Sequence, residues 1–176
     1  SSDVCSSDLL DWDTPVTWLD TSGMDFKEEF VGETFGRINK EEAGLLLKEL
    51  EAYIQRIGGN RILEERIDFG LISPYKAQVQ YLRGKIKGSA SLRPYRSLIT
   101  VNTVDGFQGQ ERDVIFISLV RANEEGQIGF LNDLRRMNVA ITRARMKLVI
   151  LGEAATLSQH AFYKKLLEYV RTINDK

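Results

Sequence analysis

The sequence predicts an α/β fold, a mostly parallel sheet covered on both faces by helices. Three observations carry that expectation. Short, nearly continuous apolar runs at residues 15–21, 67–72, 113–119 and 147–152 suit strands buried on both sides. Segments with apolar residues at helical spacing fall between them, so the order reads β-α-β-α-β-β-α-β-α. The 176 residues are 43% hydrophobic and 28% charged, enough for one domain with a sizeable core, and no internal repeat divides them.

Residues 1–10, SSDVCSSDLL, are Ser/Asp-rich, repeat SSD and lack periodicity, so they are expected to be a tag or junction ahead of a domain at 11–176. The strand at 15–21 ends in a polar Ser-Gly turn. MDFKEEFVGETFGR follows without a clear period and is expected to loop over the surface. Asn39 then opens a helix: Leu45, Leu46, Leu50, Tyr53, Ile54 and Ile57 recur at helical spacing, and Gly58-Gly59 stops it. Asn39 is expected to act as the cap and Glu42 as a first-turn acid that satisfies the helix N-terminus. The strand at 67–72 turns through SPYKAQVQYLRGKI into a helix with Val79, Leu82 and Ile86 inward. Ser73 stands at the carboxyl end of that strand, where open α/β sheets bind ligands, although Ser-Pro is also an ordinary helix start.

KGSASLRPYRS, at 87–97, is a basic connector too polar for core. VNTVDGFQGQE then gives a strand end and a Gly-rich turn before the strand at 113–119. Gly106 and Gly109 allow positive φ or close approach, while Gln108 and Glu111 offer an amide and a carboxylate. In GFLNDLRRMNVAITRAR, Asn132 or Asp133 can cap a helix with an apolar stripe of Met137, Ala140, Ile141 and Ala144. On such a helix Arg136 and Arg143 lie about two turns apart on one side, as Asn138 and Thr142 do at i, i+4. Paired arginines beside a Gly-rich loop suit a polyphosphate clamp. After the strand at 147–152, residues 161–173 form an amphipathic helix through Phe162, Leu166, Leu167 and Val170. His160, just before it, is expected to be a surface or capping group.

Composition excludes several classes. No apolar run approaches the ~18 residues of a transmembrane helix, so no membrane partner is expected. One cysteine, Cys5, cannot form an internal disulfide, which fits a reducing, cytoplasmic setting. A single His and no Cys cluster leave no metal site of recognisable spacing. The net charge of −1 argues against generic adhesion to nucleic acid. Its distribution is uneven: residues 1–82 hold 8 Lys/Arg against 16 Asp/Glu, whereas 83–147 hold 12 against 6. The basic half contains the Gly-rich turn and the arginines, as a phosphate-binding face requires, although a solvated mixture of charges would look similar.

TVDGFQGQE and RRMNVAITRAR resemble motifs V and VI of superfamily 1 helicases in the Upf-like branch, FGLISPYKAQ resembles motif IV, and NKEEA is similar to the opening of the family's corresponding helix. The likeness runs from about Val16 to Glu153. It implies a RecA-like, P-loop NTPase-type three-layer fold. The chain would then be the second motor domain, completing an ATP site housed mainly on a first RecA-like domain and acting on single-stranded DNA or RNA. By resemblance, Arg143 is the arginine finger toward the γ-phosphate, the bland alternative being a surface arginine paired to a carboxylate. Glu111 and Gly109 would lie near the nucleotide with Arg136, and Gln108 would link nucleotide and strand. Ser73, Tyr75 and Thr103 would touch the nucleic acid, while Asp105 is expected to tie down its turn through backbone amides. The strand-binding face is expected at the carboxyl ends leading to Ser73 and Thr103, bordered by Lys85, Lys87, Arg93 and Arg96.

The sequence holds no GxxxxGK[ST] loop and no Asp-Glu pair for Mg²⁺, so the metal ligands of an ATP–Mg²⁺ site would lie on the N-terminal motor domain. The chain looks like a fragment of a larger protein, inactive alone. A degenerate, non-enzymatic RecA-like scaffold or nucleic-acid-binding module is the alternative.

Overall fold

The computed structural model describes residues 15–32, 36–107 and 109–174, so the expected tag and Gln108 lie outside the described residues. Five strands form one parallel sheet, β1 (Val16–Asp20), β4 (Phe69–Ile72), β5 (Ile99–Asn102), β6 (Arg112–Ser118) and β7 (Ala144–Gly152), in the order β1-β7-β6-β4-β5. This is the predicted fold class. Alternation along the central strands sends Val114 and Phe116 to one face and Ile115 and Ile117 to the other, and all four are fully buried. Each such side chain contributes roughly 1.5–3 kcal/mol relative to exposure.

On the first face lie α1 (Lys40–Ile57), the short α2 (Gly59–Glu65) and α3 (Lys76–Lys87). Leu46, Leu50, Val79 and Leu82 meet Phe69, Leu71 and Phe116 there. The expected stop at Gly58 is real, with φ at 101°, but the chain re-enters a helix at once as α2. The second face carries α4 (Leu134–Ile141), α5 (Ala154–Leu157) and α6 (Ala161–Asn174), with Met137, Ala140, Leu157 and Tyr163 on Ile115, Ile117 and Ile150.

Three expectations about local structure are corrected. The acidic segment at 24–37 is not a plain loop: β2 (Glu29–Val31) and β3 (Gly36–Ile38) pair antiparallel as a separate hairpin. Its Glu and Gly residues hide the strand period, and its support is long-range. The connector contains a 3-10 helix, Arg93–Leu98, and Leu92 and Leu98 are buried, so its backbone is anchored on the core. Helix α4 ends at Ile141, with Thr142 as C-cap, so Ala144 belongs to β7 and Arg143 follows the helix instead of riding on its side.

Residues 103–111 carry the chain from the carboxyl end of β5 to the amino end of β6 without a regular helix, passing over β4. Gly70 makes this possible: a Cβ there would stand 2.6 Å from Ile115 Cδ1 and 3.0 Å from the Phe107 ring. Phe107, on a 3-10 turn at Asp105–Phe107, is fully buried in that space.

Candidate functional site

The parallel sheet has two ends, and the residues singled out in the sequence divide between them. At the carboxyl ends of β4 and β5 is a cavity of about 630 Å³, whose walls include Val31, Gly36, Tyr75, Lys76, Thr103 and Arg136. Thr103 is partly exposed there, its Oγ1 accepting a long 3.4 Å bond from the Gly106 amide. The Asn102 carboxamide accepts from the Thr103 amide at 2.8 Å and occupies the space a Cβ on Gly106 would need. So Asn102 and Thr103 secure the turn. The Asp105 carboxylate instead faces Arg136 at 3.4 Å, correcting the expectation that it bonds backbone amides.

Ser73 and Tyr75 are both buried at this end. The Ser73 hydroxyl accepts from the Tyr75 amide at 3.3 Å, and the Tyr75 hydroxyl donates to the Ile128 carbonyl and accepts from Arg121 Nη1, each at 3.2 Å. Exposed Lys76 and Arg136 supply the positive charge of the cavity, and Arg136 is also held by Asp133 at 3.4 Å. Lys76 opens α3, and sequence reasoning passed over it. The basic connector is elsewhere: α3 runs away from the cavity, so Lys85, Lys87, Arg93 and Arg96 fall toward the amino end of β5. Lys87 and Arg96 line a separate groove there with Arg83 and Ile99.

At the amino end of the sheet stand Gly109, Glu111 and Arg143. Gly109 has φ at 78°, the conformation for which glycine is suited. Glu111 is exposed, and the residue after it donates its amide to the Arg143 carbonyl at 3.0 Å, which sets the two side by side in the chain path. The Arg143 guanidinium folds back on the helix end, with Nε to the Val139 carbonyl at 3.1 Å and Nη2 to Thr142 Oγ1 at 3.2 Å. Among the described residues no carboxylate lies within ion-pair distance of it. Arg145, two positions on, is the opposite case: Nη2 meets Asp68 at 3.0 Å and Nε meets Asp113 at 3.0 Å. Arg136 and Arg143, expected as a pair, are at opposite ends of α4 and are not brought together.

A buried polar network underlies the carboxyl end. Asn39 caps α1 as expected, accepting from the Glu42 amide at 3.0 Å. Its Nδ2 also donates to the carbonyls of Phe26 and Val120. Glu42 departs from expectation. It is fully buried and reaches across to β6, where Oε1 accepts from Ser118 Oγ at 2.6 Å and the Val120 amide at 2.8 Å. Gln78 closes the network onto Asn39 and Ser118. Burial pushes the Glu42 carboxyl up to about 7, against the opposing pull of the bonds from Ser118 and Val120. The Asn-x-x-Glu spacing was visible in the sequence, but its target on β6 was not.

Residues 2–155 match the AAA domain family. The chain is 38% identical over 156 residues to the DNA polymerase alpha-associated DNA helicase A of Saccharomyces cerevisiae, covering 88% of this chain and 21% of that protein. It is 37% identical over 161 residues to the regulator of nonsense transcripts 1 homolog of Drosophila melanogaster, covering 89% and 13%. An uncharacterized ATP-dependent helicase of Methanocaldococcus jannaschii is 33% identical over 174 residues, covering 99% and 23%. The chain belongs to the superfamily 1, Upf-like helicases. It spans less than a quarter of the length of these helicase relatives. In this helicase domain the two motif segments each run along the sheet, from Thr103 to Glu111 and from Arg136 to Arg143, so each reaches from the carboxyl end of the sheet to the amino end. Among the described residues no helix is long and apolar enough to cross a membrane, and no group of three or more His, Cys, Asp or Glu could hold a metal ion.

Proposed function

We propose that the chain is the C-terminal motor domain of an ATP-dependent helicase or translocase, giving Arg143 as an arginine finger to an ATP site on an N-terminal RecA-like domain of the same protein. The observation that carries this reading is the contrast between Arg143 and Arg145. Asp68 and Asp113 neutralise Arg145 within the domain, whereas Arg143 keeps its charge uncompensated by any described carboxylate. A guanidinium held by a carbonyl and a hydroxyl can turn its planar donor fork toward a phosphate at small cost. These residues fit the phosphate end of ATP. Glu111, exposed beside Arg143, can accept from ribose hydroxyls, and Gly109 lies in the same turn; by the family resemblance Gln108 would link nucleotide and strand. The Mg²⁺ ligands belong to the N-terminal domain. When bound, Mg²⁺–ATP supplies the scissile phosphoanhydride; Arg143 stabilises charge that develops on the transferred group.

The carboxyl end is the single-stranded DNA or RNA surface. Lys76 and Arg136 offer charge and Thr103 a hydroxyl, groups that hold phosphates without reading bases. Ser73 and Tyr75 act from beneath by fixing the start of α3. Arg136 thus serves the strand side in this reading, away from the nucleotide. Arg143→Ala in the full-length protein tests the finger: ATP affinity is kept and turnover falls on the order of 10³-fold. A fall of less than about tenfold removes the assignment, and a full-length protein with no ATPase at all returns the chain to a binding module.

A further inference from the structure

We propose that the β2–β3 hairpin is a wall of the strand-binding cleft, with Val31 facing the nucleic acid and Glu28 as the positioning residue that fixes the wall. The inference rests on the reading that strands bind at the carboxyl end of the sheet. The hairpin takes no part in the main sheet, yet Val31 and Gly36, its last cross-strand pair, line the same 630 Å³ cavity as Lys76, Thr103 and Arg136. A Cβ on Gly36 would approach the Val31 carbonyl oxygen to 2.8 Å and the Ala77 Cβ to 3.2 Å, so the hairpin backbone packs directly on the first turn of α3. A wall seated this closely moves with α3, and α3 carries Lys76.

The anchor is a buried charge cluster that the motor reading leaves unused. Glu28, with its side chain 8% exposed, lies 2.7 Å from Arg121 Nε and 3.3 Å from Arg37 Nη1. Its other oxygen accepts from the Ala122 amide and from Asn123 Nδ2. Arg37 belongs to β3, Arg121 follows β6, and Arg121 also donates to the Tyr75 hydroxyl at the start of α3. One carboxylate therefore ties together the hairpin, the end of β6 and, through Arg121, the entry to α3. Strand alternation puts Phe30 and Arg37 on the opposite face of the hairpin from Val31, so the two faces can be tested separately.

The test is a charge swap in the full-length protein, read by fluorescence anisotropy with oligo-dT and oligo-U. Val31→Lys should tighten binding and Val31→Glu weaken it by about threefold each, the effect of one charge some ~6 Å from a phosphate in water. Phe30→Gln, on the outer face and adding no carboxylate beside Arg37, should leave affinity unchanged. A folding defect would weaken binding in both Val31 variants, so opposite signs cannot come from instability. Glu28→Gln should raise the strand concentration needed for half-maximal ATPase while the rate at saturating strand holds. Equal responses of Val31→Lys and Val31→Glu, while Lys76→Glu still weakens binding, would overturn the hairpin wall alone. No response to Lys76→Glu either would overturn the strand-binding end itself.

Discussion

The carboxylate of Glu42 accepts the backbone amide of Val120 at 2.8 Å, and Val120 is held at φ 70°. The left-handed region is unfavourable for a β-branched residue, and the Arg121 amide closes a tight bond of 2.7 Å onto the Leu119 carbonyl around it. Such backbone costs on the order of 1–3 kcal/mol and persists only where the surroundings fix it. Glu42, Asn39 and Ser118 are those surroundings. The bend they hold directs Arg121 toward Glu28 and Tyr75.

Removing the Glu42 acceptor should therefore be expensive. Glu42→Ala leaves the Val120 amide and the Ser118 hydroxyl without their buried partner, and a loss of about 2–4 kcal/mol in unfolding free energy is expected. Glu42→Gln keeps the acceptor and should cost less than about 1 kcal/mol at pH 6. Urea melts of the chain distinguish the two; equal losses would mean that Glu42 matters by volume and not by accepting these bonds.

The same carboxyl gives a pH dependence. Its folded value of about 7 lies above the ordinary 4.5, so between those limits the folded state binds more protons than the unfolded state. The contribution of Glu42 to stability is then most favourable below about pH 4.5, declines as pH rises to 7, and is constant above. Its full span is roughly 3 kcal/mol. The difference in stability between wild type and Glu42→Gln, followed from pH 5 to 8, should track this decline. A difference independent of pH would show the carboxyl to be ordinary.

Arg143 and Arg145 should separate cleanly. Arg145→Ala removes two ion pairs and is expected to destabilise the chain by about 1 kcal/mol, a modest figure because Arg145 is 43% exposed. Arg143→Ala should change stability by less than about 0.5 kcal/mol, since only neutral partners are lost. Thermal melts that rank the two in the reverse order would place Arg143 in the framework of the domain.

Strand binding should respond at one end of the sheet only. Lys76→Ala combined with Arg136→Ala in the full-length protein should flatten the slope of log affinity against log salt by up to about 0.7 per phosphate contact. Thr103→Val should lose roughly 0.5–1.5 kcal/mol of affinity with the slope unchanged. Replacing Lys87 and Arg96 should alter neither quantity, because they lie toward the far end of β5. A flattened slope for that pair would show that the strand also crosses the amino end.

The chain by itself should show no measurable ATPase, because its sequence lacks a loop to cradle the β-phosphate. A coupled assay with added single strands measures this directly. Steady, strand-stimulated turnover would reveal a substitute for that loop within these residues.

The sequence by itself determined the parallel α/β class, the five sheet strands, the Asn39 cap and the segments that identify the helicase family, because periodicity, capping and glycine placement are written in neighbouring residues. It also located Thr103, Glu111 and Arg143 as residues with chemistry to offer. Only the tertiary structure decided which end of the sheet each occupies. The span from Thr103 to Glu111 is short in the chain, yet it crosses the face of β4 over Gly70, and α4 separates Arg136 from Arg143 in the same way. Nor did local pattern distinguish the two arginines of TRAR, since what neutralises Arg145 is a pair of carboxylates at positions 68 and 113, brought together by the pairing of β4, β6 and β7. Glu42 and the hairpin were misjudged for that reason. Their partners, Val120 and Arg121, lie more than 70 residues away in sequence, and a hydrogen bond or ion pair over that distance exists only once the sheet has closed.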